Sequence, residues 1–160
     1  MKNTLTLFLL ALLLPFFGCQ ENSSGDKAGD EAGMSPQQEE EINLRDGIFV
    51  VHDEAMARMG EIHRLKKELR NILRNVSSPL DTDAREKVSQ VLVHLDKADN
   101  GMMSWMASFK QPNSLRQQMS HDEIMAYMKA EKVKVDAVKT DIEESITAAT
   151  ALLGELKKQE

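Results

Sequence analysis

Two stretches of the 160-residue chain repeat one another. Residues 52–59 read His-Asp-Glu-Ala-Met-Ala-Arg-Met, and residues 121–128 read His-Asp-Glu-Ile-Met-Ala-Tyr-Met. The donors they carry are imidazole and thioether. Ten Met stand against a single Cys in the whole chain. A donor set without thiolate suits a soft cation such as Cu(I) or Ag(I), and suits Zn(II) less well. On a helix, His52, Met56, Met59 and His63 fall within about 60° of arc. His121, Met125 and Met128 make the corresponding stripe. The acids beside each His point elsewhere. Asp122 and Glu123 fit the first turn of a helix, where the dipole favours negative charge. Asp53 and Glu54 lie mid-helix and have no such account.

Two readings compete for these residues. Met fills irregular core space readily, and His52 and His121 would then be boundary residues with solvated tips. In the other reading they ligate a metal. The chemistry resembles that of periplasmic copper–silver chaperones, which use Met, His and Trp on a different fold. Trp105 would supply a cation–π contact. The His52 stripe lies roughly 80° from the centre of its helix's apolar face, which Met59 nearly occupies and Met56 does not.

The elements that must position these residues are helices. Ser35-Pro36-Gln37-Gln38 is a capping box with Pro at the first helical position. It predicts a helix over about 36–76, with Ile48, Ala55, Met59, Ile62, Leu69, Leu73 and Val76 at three- and four-residue steps. Asp83 with Glu86 predicts a second helix over about 83–110, with Val88, Val91, Leu95, Ala98, Met102, Met106 and Phe109 on one stripe. Ser120 with Glu123 predicts a third over about 121–157, from Ile124 and Met128 to Leu153 and Leu156. No segment reads as a strand. The expected fold of residues 35–160 is all-α, an up-down-up bundle of three long amphipathic helices. Its geometry is expected to gather His52, Met56, Met59, Met102, Met103, Met106, His121, Met125 and Met128 into one layer beside Trp105, with His94 near His63. At the start of its helix, His121 is expected to stay neutral to lower pH than His52.

The first eighteen residues read as a signal peptide. Lys2 is followed by an apolar run over 5–17 that is too short to span a bilayer. It ends in Phe16-Phe17-Gly18-Cys19, which resembles a bacterial lipobox, with Phe16 where Leu or Val is usual. Cys19 is then the lipidated N-terminus, and acyl chains such as palmitate anchor the protein to a membrane. Residues 20–34, rich in Gly, Ser and acid, read as a flexible tether. The expected location is the bacterial cell envelope, facing the periplasm or the cell surface.

Composition narrows the function. A formal charge of −6 disfavours nucleic acid, which is met by basic surfaces. There is no GxGxxG, P-loop, HExxH or GxSxG motif, and no Glu-x-x-His pair for a di-iron bundle, so no enzyme is expected. The run Met102-Met103-Ser104-Trp105-Met106 with Phe109, following the helix from His52 to Leu69, resembles small lipoproteins of Bacteroidetes-type bacteria. These are often labelled "viral A-type inclusion protein", a label that reflects generic coiled-coil similarity. The resemblance covers roughly residues 45–110 and implies no characterised activity. The sequence thus supports a non-enzymatic anchored lipoprotein with a His/Met-rich layer for Cu(I) or Ag(I). The alternative is a metal-free, coiled-coil-like structural or adaptor lipoprotein that contacts an envelope protein partner.

Overall fold

A computed structural model describes residues 33–75 and 80–158. The signal segment, Cys19, the tether up to residue 32, and Val76 lie outside them. Among the described residues the only regular elements are helices: α1 (Pro36–Met56), α2 (Met59–Arg74), α3 (Thr82–Ser108), α4 (Pro112–Leu115) and α5 (His121–Leu156). The fold is all-α.

The first and last of these helices begin as the sequence indicates. Ser35 accepts from Gln38 N while the Gln38 side chain accepts from Ser35 N. Ser120 and Glu123 exchange the same pair of bonds. For α3 the cap is Asp81 rather than Asp83: its side chain accepts from Ala84 N at 2.7 Å. Both Asp residues could cap, and the earlier one does. Asp83 is left in the first turn, where its charge still suits the helix dipole.

The expected single helix over 36–76 is two. Between α1 and α2 the hydrogen bonds shorten to three-residue spacing, from Arg58 N to Ala55 O and from Glu61 N to Arg58 O. Arg58 sits at φ −91°, ψ −11°. Gly60, a poor helix former, lies beside the break. Residues 110–120, expected to be a plain loop, contain the short helix α4. Its Pro112 occupies the first turn, and Pro112 and Leu115 are buried.

Charged pairs set the register between helices. Lys66 of α2 meets both Asp96 and Asp99 of α3 at 2.6 Å, Arg70 meets Asp96 at 3.2 Å, and His63 Nε2 lies 3.3 Å from Asp99. Burial opposes the charge on Lys66, but the two carboxylates outweigh it and raise its pKa; Lys66 and His63 in turn lower that of Asp99 against its own burial. These pairs run antiparallel. So do Lys97–Asp141 at 3.0 Å and the bond from Lys110 N to Tyr127 Oη at 2.8 Å, which join α3 to α5. The α5 pairs with the first two helices run parallel: Glu54–Lys139 at 2.6 Å and Glu68–Lys157 at 3.1 Å. Glu54, unexplained in the sequence, is thus a seam residue.

The expected apolar stripes form the core. Ile48, Ile62, Leu69, Val88, Leu95, Met102, Met128, Val135, Ile142 and Ala149 are wholly or almost wholly buried. The backbone of α1 packs on α5, and that of α2 on both α3 and α5. Gly47 of α1 and Gly154 of α5 face open space where a Cβ would stand. Gly47→Ala and Gly154→Ala should each raise stability by about 0.5–1 kcal/mol, read as an increased urea midpoint at unchanged slope.

Candidate functional site

The space between α1 and α3 is filled by rings. Phe49 meets Phe109 edge-on with centroids 5.5 Å apart, and meets His52 at 5.9 Å. His52 lies 5.5 Å from Trp105, and Trp105 lies 5.1 Å from Phe109. Tyr127 of α5 joins at 6.5 Å from Phe109. Every aromatic residue after position 17 belongs to this cluster. The sequence reading missed it, because four rings at positions 49, 105, 109 and 127 show no local pattern. Burial raises the pKa of the Tyr127 phenol. The Trp105 Nε1 is buried without a hydrogen-bond partner among the described residues.

His52 is half-buried at the edge of this cluster. Its Nδ1 is 2.8 Å from Asp53 Oδ1. A carboxylate only accepts, so in the neutral ring Nδ1 carries the hydrogen and Nε2 keeps the lone pair. Asp53, the other mid-helix acid without an account, is therefore the group that orients His52.

The second copy of the repeat lies elsewhere. His121 Nδ1 is 3.0 Å from Glu41 Oε1, and its Nε2 is 3.4 Å from Glu40. Arg116 Nε donates to Glu41 Oε2 at 2.8 Å. Glu41, 2% exposed, is thus held through its carboxylate by Arg116 and His121, which follow α4. Glu41 precedes His52 by eleven residues, about 16 Å along a helix. His121 and His52 do not meet, and the expected single layer is divided. The reason is the register of α5. The segment containing α4 carries the chain past the end of α3, so α5 begins opposite the first turns of α1.

The methionines divide as well. Met59, Met102, Met125 and Met128 are buried, Met128 and Met102 completely. Met56 and Met106 are half-buried against the core. Met103, expected in the layer, is 55% exposed. His94 is not beside His63; it lines a shallow groove with Lys97, Asp141, Glu144, Ser145 and Ala148. Among the described residues no three His, Cys, Asp or Glu side chains converge as a metal site. That leaves thioether donors as the ones to consider. A buried carboxylate also escaped the sequence reading: Glu131 lies on the core side of α5, with Oε1 2.6 Å from Lys134 and Oε2 without a partner among the described residues.

Comparison with protein-family models, curated proteins and solved structures returns no match. The site is therefore read from its chemistry alone.

The expected low-pH neutrality of His121 is reversed. The hydrogen bond to Glu41, with the charges of Glu40, Glu41 and Asp122, raises its pKa above the ordinary 6.5 against the helix dipole and partial desolvation. A pKa raised on folding contributes stability fully present below 6.5, which is lost as pH rises through the raised value. The other shifted groups titrate far from this window. Denaturant midpoints should therefore fall as pH climbs above 6.5, and fall less in His121→Gln. Parallel profiles for the two proteins would refute the assignment.

Proposed function

We propose that this protein is a lipid-anchored, non-enzymatic lipoprotein of the bacterial cell envelope whose helical domain serves as a structural or adaptor module. In this reading residues 1–18 are a signal peptide, Cys19 carries the acyl chains and residues 20–34 are the tether. The domain is a three-helix up-down-up bundle: α1 and α2 together, then α3, then α5. The antiparallel pairs of α2 with α3 and of α3 with α5, and the parallel pairs of α1 and α2 with α5, support that topology. No helix among the described residues is long and apolar enough to cross a membrane, so a membrane attachment within this reading falls to Cys19.

The observation that carries the structural role is where the ionic side chains go. Glu41, Glu54, Glu68, Asp96, Asp99 and Asp141 each meet a cation from another element. They act as seam fasteners that fix which helix lies beside which and at what height. A partner in the envelope would find a long surface along the 36-residue α5.

The anchor is tested by Cys19→Ser. The variant should leave the membrane pellet for the soluble fraction while its far-UV circular dichroism stays strongly helical. If it continues to sediment with membranes after a carbonate wash, the lipid assignment fails.

A further inference from the structure

We propose that His52, Met56 and Met106, with the Trp105 ring beside them, bind a single soft monovalent cation of the Cu(I)/Ag(I) class. This does not depend on how the chain is anchored, and it needs three of the nine His and Met residues of the expected layer.

The placement follows from helix register. His63 of α2 and Asp99 of α3 face each other at 3.3 Å across the seam. Seven residues make two helical turns, so a step of seven returns to the same face. One such step back from His63 is Met56, and one step forward from Asp99 is Met106. α2 and α3 are antiparallel here, so the two steps run in the same direction along the seam. The break between α1 and α2 keeps right-handed helical dihedrals at both Ala57 and Arg58, with its hydrogen bonds tightened to three-residue spacing. Beyond Met56 the same seam reaches His52 and Trp105, whose rings are 5.5 Å apart. Met56 is thus bracketed by two observed contacts to α3, and Met106 adjoins the second of them through its chain neighbour Trp105.

The donor chemistry fits. His52 and Met56 are four residues apart on one helix, the spacing that brings two side chains together. Asp53 holds Nδ1 of His52 at 2.8 Å and leaves Nε2 as the free donor. That is the usual outer-shell arrangement for a metal-binding imidazole. Met56 and Met106 are only half-buried, so a cation can reach them from solvent, whereas Met59 and Met102 are sealed in the core. Two thioethers and one imidazole without thiolate select a soft cation.

Trp105 adds an independent sign. Its Nε1 is buried and has no partner among the described residues, a cost that a Phe in the same place would avoid. What indole offers over phenyl is a stronger face for a cation. The position uses the ring and strands its N–H.

Trp105 is the only tryptophan in the chain, so its fluorescence reports on this site. The full chain carrying Cys19→Ser contains no thiol and can be titrated with silver nitrate in chloride-free buffer. Trp105 emission should be quenched, with saturation at one equivalent. Met56→Leu and Met106→Leu, nearly volume-conserving changes that preserve the fold, should each weaken the response by at least about tenfold, and Asp53→Asn by about 10–100-fold. Met125→Leu, Met128→Leu and His121→Gln should leave it unchanged. Absence of a saturable change overturns the proposal. So does a response that survives the Met56→Leu/Met106→Leu double variant while circular dichroism shows both proteins folded.

Discussion

Where α1 passes α3, the spacing between the two helices is set by rings. Phe49, His52, Trp105 and Phe109 form a closed circuit, each ring touching two others at centroid distances of 5.1–5.9 Å. Such contacts add about 0.5–1.5 kcal/mol per aromatic pair beyond the area they bury. Their geometric effect matters more here. With the ring cluster between them, α1 keeps its close backbone packing for α5, while α2, past the break, packs on α3 as well. The break at residues 57–58 is where one rod passes from the first arrangement to the second.

Other features of the domain depend on that wedge. It leaves His52 half-buried, fixed by Asp53 and open at Nε2. Met56 and Met106, on the same two helices, stay at the edge of the core. Tyr127 links the wedge to α5, and through its bond from Lys110 N it satisfies backbone just beyond the end of α3. Where α1 and α2 pass α3, a ring-filled stretch is followed by an ion-paired one, and the two together favour one register for that seam.

Much of this was legible in the residues. The Ser35 and Ser120 caps, the apolar stripes and the all-α class rest on local rules of spacing and hydrogen bonding, and the structure follows them. Less legible was whatever depends on long-range register. The sequence places His121 beside His52 only if the segment after α3 is a simple reversal; the α4 turn instead brings His121 to Glu41, eleven residues before His52. The fate of Glu41, a charge on a core-facing position, shows the same limit. Nothing near it in sequence says that Arg116 and His121 arrive to neutralise it. The sign of the His121 shift failed for the same reason, since a helix dipole is local and a buried carboxylate 80 positions away is not.

The parallel pairing of α1 with α5 has a mechanical side. A pull on the chain ahead of Ser35 enters α1 at its first turn. Because α5 lies alongside α1 in the same direction, a load carried onward to the far end of α5 crosses their interface as shear. The Glu54–Lys139 pair, the Glu68–Lys157 pair of α2 and the packed side chains between them then share the strain together rather than opening one by one. The contact nearest the point of loading is Glu41 with Arg116 and His121, which fastens α1 to the α4 turn and the start of α5 where α3 no longer reaches. A domain fastened in this way resists a pull on the chain ahead of α1 far better than one whose first helix could be peeled away.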